Sequence, residues 1–306
     1  MQIPKEKLDR LEQTIQGSIE KLEARRAADK KKSRNIAIVL TVIVLVLVLV
    51  NGKGNLAEPI GCTLFLGGLA YFMINTFFKS RHNKTYKAEV VPELVETIIP
   101  GATYSAKGLI KKQMLKDAKL YKFNKGKTLS SEDTIEGRIG KTDFMFSEVV
   151  ISHSEDDGNG GTDTIIDLKG FVFIADFNKY FKGHTVLSSH KSHLDIGMFS
   201  SYNRCVLEDI DFEKRYTTYT TDDQQARYII TPGLQHRIME LHSFFDNNEM
   251  AISFLGDQMM ILLNSGTDHF EVKYDMQSVM NDLYALSLLG DIVEQLNLDL
   301  RIWSKE

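Results

Sequence analysis

Histidine and carboxylate side chains that could bind a metal ion are concentrated in one short stretch of the sequence. His184, His190, His193 and Asp195 fall there, and H-K-S-H-L-D over 190–195 resembles a metal-binding spacing. Zinc sites hold such ligands on a helix or a turn, with a third ligand nearby and often with cysteine. Residues 188–204 are polar, irregular and rich in serine, and no cysteine lies among the histidines. The pattern therefore favours a polar surface loop over a metal site, and no metal or other cofactor is predicted.

A second group of oxygen-bearing side chains lies in a glycine-rich turn. Calcium takes oxygen ligands, and such ligands are plentiful at 155–163. Their spacing does not match the calcium-loop pattern D-x-[DN]-x-[DN]-G with a distal glutamate. The sequence favours a solvated hairpin tip over a calcium site. The side chains concerned are Glu155, Asp156, Asp157, Asn159 and Asp163.

Charged residues also cluster just before a clear helix start at Thr231–Pro232. Asp222, Asp223 and Arg227 could form a carboxylate–guanidinium pair, which most simply braces the junction into that helix. The sequence contains no phosphate-binding loop, no G-x-S-x-G, no H-E-x-x-H and no dinucleotide fingerprint. We therefore assign no catalytic, cofactor-binding or metal-ligating residue, and predict that the protein is not an enzyme.

Two apolar runs near the N-terminus decide where any such chemistry would take place. They cover residues 36–50 and 60–78, and only N-G-K-G-N-L-A-E-P separates them. A membrane-spanning helix needs about 20 mostly apolar residues, and neither run holds an ionised side chain. A cleaved secretory signal is disfavoured, because the basic region before the first run is long and a second run follows at once. The sequence predicts a two-helix transmembrane hairpin.

The distribution of charge predicts the orientation of this hairpin. Basic residues dominate 25–34 and 79–87, whereas the short connecting loop has no net charge. Because positive flanks stay on the cytoplasmic side, both termini are predicted to face the cytoplasm, with two helices crossing the membrane and a short loop outside. Small residues of the second run, Gly61, Gly67, Gly68 and Ala70, either let the helices approach closely or reflect ordinary membrane-helix composition.

Composition limits the class of partner. The net charge of the whole chain is −4. Residues 88–306, which follow the basic segments that flank the apolar runs, have a net charge of −12. An acidic globular region argues against nucleic acid as a partner, whereas the basic flanks match a lipid bilayer with anionic headgroups. The two cysteines, Cys62 and Cys205, predict no disulfide, as is typical of a reducing cytoplasm.

The chain is predicted to have four parts in this order: an amphipathic N-terminal helix with a basic juxtamembrane segment (1–35), the transmembrane hairpin (36–78), a helical connector (79–130) and a cytoplasmic α+β domain (131–306). Leu8, Leu11, Ile15 and Leu22 of the first part fall on a heptad-like seam, which suits a short coiled coil or a helix docked on the domain. The last part is either one domain or two subdomains that divide near residue 205.

Alternating apolar and polar residues predict the strands of the α+β domain. Residues 134–140, 142–153 and 164–175 form an antiparallel β-meander in this prediction. A meander followed by a helix is analogous to a pleckstrin-homology-like or GRAM-like module, either single or duplicated around residue 205. Further predicted elements are strands at 185–187, 216–220, 227–230, 270–273 and 298–303, a hairpin of 250–255 with 259–263, and helices at 209–215, from Thr231 and at 278–296.

Four segments resemble a family of bacterial membrane proteins known only as a domain of unknown function. They are G-F-V-F-I-A-D-F-N-K (170–179), L-E-D-I-D-F-E-K (207–214), D-D-Q-Q-A-R-Y-I-I-T-P (222–232) and L-N-L-D-L-R-I-W (296–303). The resemblance implies a bacterial inner-membrane protein with an N-terminal helical hairpin. Genes of this kind often neighbour those of the LemA family, which implies a membrane assembly with a LemA-family protein as partner. The family has no catalytic residues to transfer.

These observations lead to one preferred function and two alternatives. The preferred function is a membrane-anchored scaffold or sensor that binds a protein partner, or a second copy of itself, through the N-terminal helix or the β-meander. The first alternative is a lipid- or small-ligand-binding module at the inner leaflet, with a basic pocket near Arg138 and Lys141. The second is a hydrolase or metal enzyme that uses His190, His193 and Asp195.

Overall fold

A computed structural model describes residues 5–51, 57–158, 160–189, 194–195, 201–246, 248–272 and 275–299. Within these ranges the side chains of 5–14, 47–51, 57–64, 177–179, 276 and 297–299 lie outside the description. The chain divides into two compact units. A helical unit comprises Leu8–Val91 and Glu271–Val279, and an α+β unit comprises Met1–Lys7, Pro92–Phe270 and Met280–Glu306.

The helical unit is built on two long helices, α1 (Lys5–Asn51) and α2 (Ala57–Thr85), and a π-helical turn, Tyr86–Val90, follows α2. The amphipathic N-terminal segment and the first apolar run thus form one unbroken helix. The two predicted membrane segments include side chains outside the description, at 47–50 and 60–64. Among the residues that are described, no helix has the length and apolar character required to traverse a bilayer.

Polar contacts and a short apolar seam hold the helical unit together. Ile15 and Leu22 of the predicted heptad seam are 1% and 3% exposed, whereas Leu8 and Leu11 lie outside the described side chains. Elsewhere in the unit Lys87 Nζ lies 2.9 Å from Glu271 Oε1. Lys87 is almost completely buried, so water does not solvate its ammonium group. The carboxylate of Glu271 compensates the charge instead.

The α+β unit contains a seven-stranded antiparallel sheet, which confirms the predicted α+β class. The strand order is β1-β2-β3-β4-β6-β5, and β7 pairs with β4. The strands are β1 (Thr103–Lys107), β2 (Thr128–Ile139), β3 (Thr142–Asp156), β4 (Thr162–Ser189), β5 (Asn203–Cys205), β6 (Tyr216–Thr220) and β7 (Met250–Asn264). The remaining helices are α3 (Val91–Ile98), α4 (Lys112–Asp117), α5 (Ile210–Arg215), α6 (Asp223–Ile229), α7 (Pro232–Phe244) and α8 (Met276–Asp299).

The long strands β4 and β7 connect the two parts of the sheet. The first part of β4 pairs with β3 and its last part pairs with β6, while β7 pairs with both parts of β4. The β4–β7 register shifts between Asp176 and His184, where the ladder is irregular. Strands from both sides of residue 205 therefore belong to one continuous sheet.

Several predicted elements differ from the structure for identifiable reasons. The predicted hairpin of 250–255 with 259–263 is wrong, because β7 is continuous and Gly256, with φ of 63°, accommodates an irregularity opposite Phe181. The predicted strand at 227–230 is wrong, because Asp222 caps α6 and that helix extends to Ile229. Residues 270–272 are irregular rather than a strand, and 273 lies outside the described residues. Residues 298–299 belong to α8, while 300–303 lie outside the described residues.

Both faces of the sheet are buried. One face packs against the segment around α4, through residues such as Leu115, Leu120 and Val149. On the other face the rings of Phe146 and Phe171 are 4.8 Å apart. Aromatic side chains at 245, 269 and 270 also pack against that pair of rings. An ionisable residue whose side chain lies among these packed groups, such as Glu148, is therefore withdrawn from water.

Candidate functional site

A β-bulge in the α+β unit places several carboxylates close together. The β2–β3 register shifts between Glu132 and Thr134, and the inserted residue, Asp133, has a left-handed φ of 50°. Glu132 lies directly opposite Glu148 of β3. Like charges at opposed positions of a sheet repel each other, so this pair requires compensation from its surroundings.

Hydroxyl groups fix the geometry of the bulge. Ser147 Oγ donates a hydrogen bond of 2.8 Å to the Glu132 carbonyl oxygen and lies 3.0 Å from Thr134 Oγ1. The Tyr104 hydroxyl donates to Asp133 Oδ1 over 2.5 Å. Burial, followed by the hydrogen bond to Asp133, raises the pKa of Tyr104 far above its ordinary value. Tyr104 therefore remains a hydrogen-bond donor throughout the physiological pH range.

Glu148 is the most perturbed acid in this region. Its side chain is buried, and Oε1 accepts two hydrogen bonds of 2.9 Å from the backbone N–H groups of His269 and Phe270. Burial is the largest influence and raises the pKa of Glu148 to about 8, with nearby Asp133 and Asp268 acting in the same direction. The backbone donors only partly oppose this shift.

Glu132, Glu148 and Asp268 line a cavity that we call the acidic pocket, with a volume of about 270 Å³. Carboxylate oxygens of Glu132, Glu148 and Asp268 all lie within 4.8 Å of one another. Oxygen ligands so arranged are the kind that hard divalent cations take, and a carboxyl with a raised pKa can also exchange a proton near neutral pH. Lys169 Nζ already lies 2.8 Å from Asp268 Oδ2 and offsets part of the negative charge.

His269 binds Glu148 through its backbone, and two side-chain contacts hold His269 in place. Its Nδ1 lies 3.1 Å from Asp282 Oδ1 of α8, and its Nε2 lies 2.8 Å from Ser265 Oγ. The ring of Phe171 packs against the imidazole edge-on. With both ring nitrogens engaged, the side chain of His269 fixes the backbone N–H that binds Glu148.

The histidine-rich stretch is only partly within the described residues. His190 and His193 lie outside them, and Asp195 contributes a backbone hydrogen bond to the Lys119 carbonyl oxygen. His184 is buried; its Nε2 lies 2.8 Å from Ser253 Oγ and its Nδ1 lies 2.6 Å from the Tyr202 hydroxyl. Burial, followed by the charge of Lys119, lowers the pKa of His184 to about 4. Both ring nitrogens of His184 thus have protein partners.

The acidic turn uses its carboxylates to hold its own backbone. Asp156 Oδ1 accepts from the Gly158 N–H, and Asp157 Oδ1 accepts from the Gly161 N–H. Asn159 lies outside the described residues, while Glu155 pairs with the neighbouring His153. The side chains of 154–158 and 160–166 are exposed, so the turn is the tip of a solvated hairpin.

Asp222, Asp223 and Arg138 have local partners, while Lys141 is exposed. Asp222 Oδ1 caps α6 by accepting from the Gln225 N–H, and Asp223 pairs with Arg227 one turn further along the same helix. Arg138 forms an exposed pair with Asp143 through two hydrogen bonds, so its charge is already compensated by a neighbouring residue.

The helical unit contains a second candidate site between α1 and α2, which we call the basic cleft. Its volume is also about 270 Å³. Near its centre Asp29 Oδ2 lies 2.9 Å from His82 Nε2. The cleft is lined by Arg26, Asp29, Lys30, Tyr71, Asn75, Phe78, Lys79 and His82.

An apolar groove of about 310 Å³ adjoins the same helices. Ala37, Ile38 and Val42 of α1 line it together with Thr41 and Arg34, and Tyr71 of α2 lines both the groove and the basic cleft. A larger cavity of about 490 Å³ also involves Asp29 and His82, but two of its lining residues, Arg25 and Glu89, approach each other to 3.7 Å.

Sequence reasoning missed the acidic pocket although a signal was present. Glu148 interrupts the apolar run F-M-F-S-E-V-V-I, and it is in phase with Phe144 and Phe146, which face the core. A carboxylate in an inward-facing position of a strand marks a buried ionisable group. Nothing in the local sequence indicates that Asp268 would come beside it, because that proximity depends on the tertiary fold.

Comparison with known proteins shows that part of the chain is similar to an uncharacterised family. Residues 166–298 match a family described as a protein of unknown function (DUF3137). This range includes three of the four segments on which the predicted resemblance rests, and the start of the fourth. The uncharacterised-family part of that prediction is confirmed. No curated protein matches the sequence.

A solved structure shows a weak overall likeness. The crystal structure of the mycobacterial trehalose monomycolate transport factor A, TtfA, aligns with a TM-score of 0.34 and 10% sequence identity. The alignment covers 68% of this chain and 96% of that one. At this level of similarity we transfer no property from TtfA to this chain.

Proposed function

We propose that this chain is a membrane-anchored scaffold at the bacterial inner membrane, whose cytoplasmic α+β unit binds a protein partner through the hairpin of β3 and β4. In this proposal α1 and α2 supply the anchor, with both termini in the cytoplasm. The candidate partner is a LemA-family membrane protein or a second copy of this chain.

The surfaces of α1 and α2 support the anchoring part of the proposal. Val39 and Ile43 of α1 are 57% and 50% exposed, and Phe65 and Phe72 of α2 are 71% and 68% exposed. Exposed apolar surface on this scale marks contact with a membrane or with another protein. The basic residues that flank both apolar runs favour the membrane, because they match anionic headgroups.

The partner-binding part of the proposal rests on a hairpin that extends beyond the rest of the sheet. The β2–β3 ladder ends at Ser152, and β7 reaches β4 only from Gly170 onwards. Among the described residues, β3 and β4 beyond these points pair only with each other, and Ile165 and Ile166 there are 39% and 56% exposed. We call 153–166 the hairpin arm.

The hairpin arm is suited to protein recognition for a physical reason. An isolated two-stranded hairpin is marginally stable in water, and both of its edges offer unpaired backbone groups. A partner that adds a strand to one edge would pair these backbone groups, and its side chains would cover the isoleucine on the face that it shares. Acidic residues at the tip would favour a partner with a basic surface.

Site-specific photocrosslinking in native membranes tests the proposal. A photoreactive residue at Ile166 is expected to give a discrete adduct, which the same residue at exposed Lys125 does not give. Mass spectrometry of the adduct identifies a LemA-family protein or a second copy. An Ile165→Asp substitution should abolish the adduct while the thermal unfolding of the domain persists. Equal labelling from 166 and 125 would overturn the partner-binding part, and recovery of the chain in an alkaline carbonate wash would overturn the anchoring part.

A further inference from the structure

We propose that the basic cleft between α1 and α2 binds the phosphate headgroup of an anionic phospholipid, whose acyl chains lie along the adjoining apolar groove. This inference rests on the anchoring part of the proposed function and adds a specific ligand to it. The two adjoining cavities identify the ligand. The basic cleft is cationic, as suits a phosphate headgroup, and the apolar groove next to it is aliphatic, as suits acyl chains.

The cleft has an excess of positive charge. Lys30 and Lys79 line it against the single carboxylate of Asp29, and Arg26, which has a partner of its own, lies beside them. That carboxylate lies 2.9 Å from His82 and so is already engaged. Among the described side chains, no carboxylate lies within ion-pair distance of Lys30 or Lys79. Two lysine ammonium groups without acidic partners are suited to a phosphodiester.

Neutral polar groups complete the headgroup site. Asn75 and Tyr71 of α2 line the cleft beside the lysines. An amide and a phenol can donate hydrogen bonds to phosphate or glycerol oxygens without adding charge. Since Lys30 and Lys79 are exposed, a headgroup could reach them without rearrangement of the helices.

The apolar groove accounts for the rest of a lipid molecule. Ala37, Ile38 and Val42 present aliphatic surface along α1, and Tyr71 connects the groove to the cleft. Helix contact beside the groove is close, because a Cβ atom at Gly67 would clash with Oγ1 of Thr41. A small residue at such a helix contact is typical of packed membrane helices.

A site of this kind differs from the general attraction of basic residues to an anionic membrane. General attraction depends on the number of positive charges near the surface and not on which lysine is present. A headgroup site depends on Lys30 and Lys79. Lys31 and Lys84 are equally exposed neighbours that line neither cavity, so they supply a matched control with the same change in charge.

The test measures lipid binding by the full chain purified in a neutral detergent. Native mass spectrometry would compare phosphatidylglycerol with phosphatidylcholine of identical acyl chains. Wild-type protein is expected to retain phosphatidylglycerol preferentially. The double substitution Lys30→Gln, Lys79→Gln should weaken that retention about ten-fold or more, whereas Lys31→Gln, Lys84→Gln should change it less than about two-fold. A Lys30→Arg, Lys79→Arg variant should retain the preference, and circular dichroism should show unchanged helix content in every variant.

Three outcomes would overturn the inference. The first is an equal loss in both glutamine variants, which would indicate general attraction. The second is no preference between the two lipids in the wild type. The third is competition by glycerol phosphate at the same concentration as the lipid, which would indicate a site for a free phosphate. Carbonate extraction is scored separately, so a failure of the anchor is distinguished from a failure of this site.

Discussion

The acidic pocket and the basic cleft have the same volume, about 270 Å³, but they treat their charges in opposite ways. In the acidic pocket Glu148 is 4% exposed and accepts two backbone hydrogen bonds. In the basic cleft Lys30 and Lys79 are exposed. A buried ionisable group loses its hydration, so the free energy of folding depends on its hydrogen bonds and its protonation. An exposed group stays ionised and can be reached by a ligand. We therefore expect the acidic pocket to influence stability and the basic cleft to influence binding.

The largest expected effect is that of Glu148→Ala. The substitution leaves the N–H groups of His269 and Phe270 without an acceptor, and each unsatisfied buried donor costs about 1–3 kcal/mol. Denaturant unfolding of the full chain in detergent, followed by circular dichroism, should show a loss of about 2–5 kcal/mol. Glu148→Gln keeps an acceptor oxygen and is the control, with a change of about 1 kcal/mol or less. Equal losses in the two variants would contradict the role assigned to these hydrogen bonds.

The stability of the protein should also depend on pH through Glu148 of the acidic pocket. The pKa of Glu148 is raised from 4.5 to about 8, so between these values the native state holds a proton that the unfolded state has lost. Stability contributed by this group is therefore complete below the lower value and falls as the pH rises towards the higher one. The fall is at most about 5 kcal/mol at about 1.4 kcal/mol per unit.

Unfolding free energies measured from pH 5 to pH 9 would isolate this contribution as the difference between wild type and Glu148→Gln, because all other groups are shared. The wild type should lose stability relative to the variant as the pH rises. A difference that stays constant across the range would show that Glu148 titrates normally in the folded protein.

A smaller effect is expected at the ion pair between the two long helices. Asp29→Asn weakens the 2.9 Å contact with His82, which is 6% exposed, while Asp29 is 28% exposed. Since one partner is partly solvated, we expect a loss of about 1 kcal/mol, read as a lower temperature for the loss of helical signal. Asn75→Asp, which adds a carboxylate to the cleft without touching the pair, should leave that temperature nearly unchanged and should weaken lipid retention.

The smallest expected effect on stability comes from removing the lysines of the cleft. Lys30→Gln with Lys79→Gln removes two charges that have no carboxylate within ion-pair distance among the described side chains. The melting temperature should stay the same or rise slightly, because repulsion between like charges is relieved. A clear fall in melting temperature would place these lysines in the structural framework and would remove the contrast between the two sites.

Much of the helical architecture could be predicted from local sequence. Thr231 accepts from the Leu234 N–H, as its position before Pro232 predicts, and the apolar stripe predicted for residues 278–296 is buried along α8. These features depend on residues that are near neighbours in the chain. Local rules of capping and periodicity therefore suffice.

The strands and the acidic pocket were harder to predict because they depend on distant residues. In β7 both faces are buried towards each end of the strand, so the apolar run shows no alternation that would indicate its length, and a glycine at 256 is typical of a turn. Pairing with β4 decides that the strand continues. The acidic pocket likewise joins β2, β3 and the segment around Asp268, and only the folded sheet brings these together.

The pairing of β4 with β7 also sets an order of events during synthesis. Ser188 pairs with Ala251 and Gly170 pairs with Asn264, so one side of β4 has no neighbour until the C-terminal part of the chain has left the ribosome. The N-terminal helices emerge long before that moment. A chain truncated ahead of Met250 would present the whole apolar length of β4 as an open edge, which is a template for aggregation. Premature termination should therefore yield insoluble or rapidly degraded protein rather than a smaller working domain.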